Sequence, residues 1–271
     1  MTRAVVLAYH NVGARCLSTL LAHGITIPLL FTHRDNPAEN IWFDSVADLA
    51  ARYDIPTITP DDPNTPEVMA QIAAAQPDFL FSFYSRHMLS PELLALARRG
   101  AYNLHGSLLP KYRGRVPVNW AVLHGERETG ATLHEMVAKP DAGCIVAQFR
   151  VPILPDDTAF EVFNKLTVAA EITLDGALPS LIAGAAPHCA QDLTQGRGTF
   201  CPGGLHWAQE YLIFLRCSSV TATTGISLKG SLSSVIISRT FTGQTLTQSP
   251  HPVHLSVSMV IKKSPEASLY P

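Results

Sequence analysis

Short apolar runs alternate with one-sided helical patterns over the first 105 residues. The runs predict strands over residues 4–9, 25–32, 78–83 and 101–105, with a short extended piece over 55–58. Apolar positions spaced three and four apart predict helices through Leu17 and Leu21 up to Gly24, over residues 46–53, over 66–75 and over 91–99. Strands that alternate with helices favour parallel crossovers, so the pattern predicts an α/β fold with a doubly wound, mostly parallel sheet.

The pattern changes after residue 130 but stays regular to about residue 182. Two further strands are predicted over residues 132–137 and 145–151, around a loop that contains Gly143. Thr158 and Glu161 have the spacing of a capping box, which predicts the start of a long helix that ends near Ile182.

Composition and charge argue against several classes of protein. A charged fraction of 15% and a hydrophobic fraction of 46% allow a sizeable core, and the net charge of −2 argues against nucleic-acid and membrane-surface partners. We find no run of roughly 20 apolar residues that would predict a membrane span. Five scattered cysteines without metal-ligand spacing predict reduced thiols, no metal site and a cytoplasmic protein.

The last part of the chain differs from the rest. Ser and Thr supply 19 of the last 56 residues, and no Asp follows Asp192. We therefore predict a catalytic domain over residues 1–200 and an atypical tail over 201–271, which is a small β domain, a disordered segment or the product of a reading-frame change. Limited proteolysis tests the last alternative: a stable fragment that ends near residue 200 supports it, and resistance of the full chain contradicts it.

Candidate chemistry lies where the strand over 101–105 ends. Strand alternation directs Asn103 and His105 to one face, and Asp141 follows Pro140 in a loop that can return to them. A carboxylate beside an imidazole is expected to raise its pKa, and an imidazolium and an amide both stabilise negative charge on a carbonyl oxygen. With no nucleophile elbow around Ser107, the trio predicts direct attack of an external amine on a carbonyl.

Three strings together resemble the formyltransferase family that uses 10-formyltetrahydrofolate. They run from Asn103 to Pro110, from Tyr112 to Gly114 and from Asp141 to Gly143. The resemblance implies a Rossmann-like fold, 10-formyltetrahydrofolate as co-substrate without a metal, and catalytic roles for Asn103, His105 and Asp141. It also implies folate contacts by the residues after the fourth strand, by one arginine and by the later loop: His87, Met88, Leu89, Arg115, Val137, Ala138, Lys139, Pro140 and Asp141.

Residues 31–40 and 81–86 resemble the subfamily formed by the N-terminal domain of the bifunctional polymyxin-resistance enzyme. This resemblance implies UDP-4-amino-4-deoxy-L-arabinose as the amine acceptor, in lipid A modification and antibiotic resistance. Formation of a homo-oligomer is also left open by the sequence.

Two alternative functions are also open. Methionyl-tRNA formyltransferase shares the chemistry, but the near-neutral charge disfavours RNA binding. A catalytically impaired module that binds folate or a sugar nucleotide would be consistent with the atypical tail. The remaining histidines, including His10, His23, His124 and His134, are interpreted as structural or surface residues.

Overall fold

A computed structural model describes residues 1–36, 41–194 and 198–199, and within them a seven-stranded sheet in the order β3-β2-β1-β4-β5-β7-β8. The strands of this sheet are β1 (Arg3–Ala8), β2 (Thr26–Phe31), β3 (Thr57–Ile58), β4 (Phe79–Phe83), β5 (Ala101–His105), β7 (Glu128–Glu135) and β8 (Ile145–Pro152). The first five pair in parallel, whereas β7 is antiparallel to β5 and to β8. The predicted mostly parallel, doubly wound sheet is confirmed, with its change of strand order between β1 and β4.

Six helices connect the strands of the described part of the chain. They are α1 (His10–Ala22), α2 (Val46–Ala51), α3 (Pro66–Ala75), α4 (Pro91–Leu94), α5 (Pro117–Leu123) and α6 (Ala159–Ala183). The capping box at the start of α6 is present, because Thr158 and Glu161 bond to each other's backbone.

Several predicted boundaries were wrong. The helix after β4 ends at Leu94 rather than near Arg99, because the amides of Arg98 and Arg99 donate to the carbonyls of Pro77 and Asp78 and draw the chain into β5. The second helix ends at Ala51, and Tyr53 is 57% exposed. Strand β7 spans Glu128–Glu135 instead of 132–137, and helix α5 was not predicted.

Two hydrophobic clusters lie on opposite faces of the sheet. The larger contains the inward side of α1 and α6, and it includes Tyr102, Leu104 and Leu133 from β5 and β7. The smaller contains residues of α3 and α4 packed on β1, β2 and β4, and it reaches β5 only at Ala101. The second face of β5 and β7 beyond Ala101 is therefore left to loops and polar side chains.

Helix α6 is an exception to the expectation that no stretch of the chain is long and apolar enough to span a membrane. By length and composition alone it could cross a membrane, although no such stretch was expected from the sequence. Half of its most apolar window is buried inside the protein, and Phe163, Leu166 and Leu174 pack in the larger cluster. A core helix satisfies the same criterion, and the burial of α6 fits that role.

The chain after α6 is described only to Thr194 and over a short strand, β9 (Gly198–Thr199). This strand pairs in parallel with β6 (Arg113–Gly114). The predicted tail over residues 201–271 lies outside the described residues, so the domain boundary near residue 200 stays a prediction.

Candidate active site

Strands β5 and β7 bring four polar side chains to one face of the sheet. In their antiparallel register Asn103 pairs with His134, and His105 pairs with Thr132. Directly paired residues in antiparallel strands share a face, and residues two apart along a strand also share it. All four therefore lie on the face that the helices leave open.

His105 is the last residue of β5 and is only 7% exposed. Its Nε2 lies 2.8 Å from the carbonyl oxygen of Tyr112, and its Nδ1 lies 3.6 Å from Oδ1 of Asp141. A carbonyl oxygen can only accept a hydrogen bond, so Nε2 carries the proton in this arrangement. The other ring nitrogen then faces the carboxylate.

Asp141 lies over this face because its loop folds back from the end of β7. The residue has a φ of 50°, and its Oδ2 accepts a hydrogen bond of 2.8 Å from the amide of Gly114. Gly143 allows the loop to pass close to β7, since a Cβ there would overlap the carbonyl oxygen of Glu135. The predicted return of Asp141 to the strand is confirmed.

The carboxyl group of Asp141 is ionised over the whole physiological range. Burial opposes its ionisation, but His105, His134 and the Gly114 amide outweigh burial and lower the pKa of Asp141 to about 2. The site therefore contains a fixed negative charge.

The expected protonation of His105 was wrong. Burial is the largest influence and lowers the pKa of His105 below its ordinary value, although Asp141 acts in the opposite direction. The imidazole is thus neutral at pH 7. A proton that reaches the ring would be stabilised by Asp141.

His134 lies beside Asp141 and Asn103, although from the sequence it was interpreted as a structural or surface residue. It is 1% exposed, and its Nδ1 lies 2.7 Å from the carbonyl oxygen of Glu135. Its Nε2 can therefore accept the hydrogen bond of 3.1 Å from Nδ2 of Asn103, and it lies 3.6 Å from Oδ1 of Asp141. The sequence signal that could have indicated this position was the alternation of Thr132 and His134 along a strand. That signal identifies a neighbour of Asn103 only when the register of β5 and β7 is known.

Thr132 holds the turn that follows His105. Its hydroxyl donates to the carbonyl oxygen of Ser107 at 2.6 Å and accepts from the amide of Leu109 at 3.1 Å. Gln148 donates both to this hydroxyl and to the carbonyl oxygen of Leu109, each at 2.9 Å. These four hydrogen bonds fix the backbone of the turn that follows His105.

The residues predicted to contact folate lie in three loops. His87 and Met88 lie after β4, beside His33 and Asn64: the rings of His87 and His33 are 4.7 Å apart, and Asn64 donates to the carbonyl oxygen of Met88. Leu89 is 8% exposed and packs in the smaller cluster.

The other two loops adjoin Asp141. Arg115 is exposed and follows Gly114, whose amide binds the Asp141 carboxylate. The remaining predicted contacts precede Asp141 directly, with the first three exposed and the last half-buried: Val137, Ala138, Lys139 and Pro140. These residues therefore adjoin Asp141, whereas His87 lies beside His33 just after β2 and Met88 bonds Asn64 just before α3.

The other histidines have structural or surface contacts, as interpreted from the sequence. The Nε2 of His23 lies 2.8 Å from Oδ1 of Asp175, and His124 lies 3.1 Å from the hydroxyl of Tyr112. His10 is 6% exposed and stacks on Phe43 at 4.0 Å. No group of three or more metal-ligating side chains occurs within the described residues.

Comparison with known proteins identifies the family of this chain. The formyl transferase family model matches residues 14–178, which is more than half of the chain. A similar solved structure is an N-formyltransferase from Helicobacter canadensis in complex with folinic acid and dTDP-3-aminofucose. It is 19% identical with a TM-score of 0.58, over 73% of this chain and 71% of that chain.

Two further solved structures share the fold. A sugar 3N-formyl transferase, solved with dTDP and 5-N-formyl-THF, is 21% identical with a TM-score of 0.59, over 73% of this chain and 70% of that chain. Phosphoribosylglycinamide formyltransferase from Bacillus halodurans is 23% identical with a TM-score of 0.59, over 68% of this chain and 97% of that chain. The family match and the shared fold agree, and the chain therefore belongs to the formyl transferase family and is an enzyme that transfers a formyl group.

Proposed function

We propose that this enzyme transfers a formyl group from 10-formyltetrahydrofolate to the amine of UDP-4-amino-4-deoxy-L-arabinose, as a step in lipid A modification. The observation that carries the proposal is the polar face of β5 and β7, where Asn103 and His105 lie on one face of β5 and Asp141 lies beside His105. Asp141 lies 3.6 Å from His105, and both are largely buried. An amide, a neutral imidazole and a fixed carboxylate suit acyl transfer between two nitrogens.

The proposed reaction is direct. The sugar amine forms a bond to the formyl carbon, and the electron pair of the carbonyl moves to its oxygen. Asn103 uses one N–H to bond His134 and has a second N–H to stabilise that oxygen. The bond from the formyl carbon to the folate nitrogen then breaks as the carbonyl re-forms.

Proton transfer is assigned to His105. The attacking amine loses one proton and the departing folate nitrogen gains one, so no external acid or base is consumed. His105 is neutral before attack because burial lowers its pKa, and it can accept the proton. Asp141 stabilises the resulting imidazolium at 3.6 Å until the proton moves to the folate nitrogen.

The donor assignment rests on the resemblance and on exposed apolar groups among the predicted folate contacts. Met88 is 57% exposed and Val137 is 42% exposed. Exposed apolar side chains in predicted folate contacts suit the flat ring system of a folate. Two of the similar structures carry folinic acid or 5-N-formyl-THF, which supports the same class of donor.

The acceptor assignment rests on residues 31–36 and 81–86, which follow or include the carboxyl ends of β2 and β4. There, Tyr9 donates to Asp35 at 2.8 Å, and the guanidinium of Arg86 lies 4.9 Å from the centre of the Tyr9 ring. Ligands of such sheets bind beyond the carboxyl ends of the strands near the change of strand order. Residues 37–40, also part of the resemblance, lie outside the described residues.

An acceptor competition tests the proposal. The wild-type enzyme is given 10-formyltetrahydrofolate with UDP-4-amino-4-deoxy-L-arabinose, dTDP-3-aminofucose, glycinamide ribonucleotide or methionyl-tRNA, and formylated products are measured by mass spectrometry. We expect a kcat/KM for the UDP sugar at least about 100-fold above the others. Preference for another acceptor contradicts the assignment, and folate binding without any turnover favours the impaired binding module.

A further inference from the structure

The segment that follows α6 crosses both loops that hold Asp141. We call residues 188–194 the strap. His188 Nδ1 lies 3.0 Å from Oε1 of Glu135, and Cys189 exchanges backbone hydrogen bonds of 2.8 and 2.9 Å with Ile145. The strap is therefore fixed to the ends of β7 and β8 on either side of the Asp141 loop.

Gln191 is the residue of the strap that reaches this loop. Its Nε2 donates hydrogen bonds of 3.0 Å to the carbonyl oxygen of Asp141 and 2.6 Å to that of Gly143. The strap also meets the loop of β6, since Arg113 donates to the carbonyl oxygen of Leu193 at 3.2 Å. Both polypeptide segments that hold Asp141 are thus bonded to one later segment of the chain.

The backbone of Asp141 needs such support. Its φ of 50° is a backbone conformation that residues other than glycine rarely adopt, and this conformation costs on the order of 1 kcal/mol or more. Outside its immediate chain neighbours, the main chain of Asp141 is held by Gln191 and its side chain by the Gly114 amide. Loss of the Gln191 donors would leave two carbonyl oxygens without this partner and allow the loop to relax.

We propose that Gln191 is a positioning residue that acts through Asp141, so that the chain beyond α6 sets the activity of the site. The inference rests on the proposed formyl transfer by Asn103, His105 and Asp141. Gln191 need not touch either substrate. Its two N–H groups hold the Asp141 carboxylate at the distance from which it stabilises a proton on His105.

Two substitutions distinguish the effect of the N–H donors of Gln191 from the effect of its size and shape. Gln191→Ala removes the side chain, and Gln191→Glu keeps its size but has no N–H. We expect each to lower kcat by about 10- to 100-fold at saturating substrates, because small displacements of a reacting group cost rates of this size. Gln71→Ala, on an exposed position of α3, is the matched control and should leave kcat unchanged.

A double-substitution cycle tests whether Gln191 acts through Asp141. Single-turnover rates are measured for Gln191→Ala, Asp141→Asn and the combined variant, and thermal unfolding is followed for each. We expect Gln191→Ala to slow the Asp141→Asn enzyme less than twofold, since the group it positions is already lost.

The outcomes are distinct. A full kcat in Gln191→Glu, an equal slowing in both backgrounds, or a loss of activity that follows unfolding would overturn the inference. If the wild-type enzyme formylates none of the acceptors, the proposed function fails instead.

Discussion

The two faces of β5 and β7 differ as sharply as any two regions of this protein. Tyr102, Leu104 and Leu133 on one face are buried against α6 in the larger hydrophobic cluster. Asn103 and His134 on the other face alternate with them in the same strands and bond to each other. A pair of strands with period two thus supplies packing on one side and chemistry on the other.

This comparison shows where each property of the enzyme originates. The apolar face contributes stability through burial, which depends on area and shape. The polar face contributes little burial energy of that kind, and its buried groups are tolerated because each has a partner: Tyr112 for His105, Gly114 for Asp141 and Glu135 for His134. Substitutions on the two faces should therefore change different measurements.

The largest effect is expected from Asp141→Asn. It removes the fixed charge that stabilises a protonated His105, while the amide keeps the size of the side chain. We expect kcat to fall by about 10²–10⁴-fold with the free energy of unfolding changed by less than the loss of a core side chain. The assay is single-turnover formyl transfer, and a rate within tenfold of wild type would contradict the role of Asp141.

Leu133→Ala should have the opposite effect, with a lower free energy of unfolding and little change in kcat. Leu133 is fully buried on the apolar face, so the substitution should lower the free energy of unfolding by about 2–5 kcal/mol in urea. The kcat of the folded enzyme should stay near the wild-type value. Leu154→Ala, at a side chain that is 53% exposed, is the control and should change stability little. Selective loss of kcat in Leu133→Ala would break the distinction between the faces.

Acid should destabilise the α1 and α6 side through His10, which packs against Phe163 of α6. Burial, with a smaller contribution from Arg86, lowers the pKa of His10 to about 3. Above pH 6.5 His10 is neutral in both the folded and the unfolded protein. Between pH 6.5 and about 3 it binds a proton in the unfolded protein but not in the folded protein, so stability falls as the pH drops through this range.

This histidine alone should cost roughly 2–3 kcal/mol at pH 4.5. The His10→Phe variant should lose that much less stability than wild type between pH 7.5 and 4.5, as measured by urea unfolding. An identical acid loss in both proteins would show that His10 is not responsible.

The smallest effect is expected from His134→Ala. The substitution removes the acceptor that orients Asn103, but it leaves all three proposed catalytic groups in place. We expect kcat to fall by about tenfold, which corresponds to roughly 1.4 kcal/mol. Unchanged kcat in a folded variant would mean that Asn103 is oriented without His134.

Local signals in the sequence predicted much of the fold. The bounds of α3 and β5 match because Pro66 and Gly100 mark them, and the capping box at Thr158 marks the start of α6. The placement of Asn103, His105 and Asp141 was also predicted, since alternation directs the first two to one face and Asp141 follows in a turn, whereas their catalytic roles stay a prediction.

Properties set by distant contacts were not predicted. His134 joins the site only through the register of β7 against β5, which no local pattern specifies. The lowered pKa of His105 arises from burial in the folded chain, and burial outweighs the neighbouring Asp141 and the hydrogen bond to Tyr112, which both act in the opposite direction. The early end of α4 follows from hydrogen bonds to Pro77 and Asp78.

One measurement tests the central claim, that the polar face of β5 and β7 performs formyl transfer. His105→Ala and Leu104→Ala alter adjacent residues of one strand on opposite faces, and both kcat and the free energy of unfolding are determined for each. The account predicts that His105→Ala loses at least about 100-fold in kcat and stays folded, whereas Leu104→Ala loses stability and keeps its kcat when folded. A His105→Ala enzyme that transfers formyl groups at the wild-type rate would contradict it.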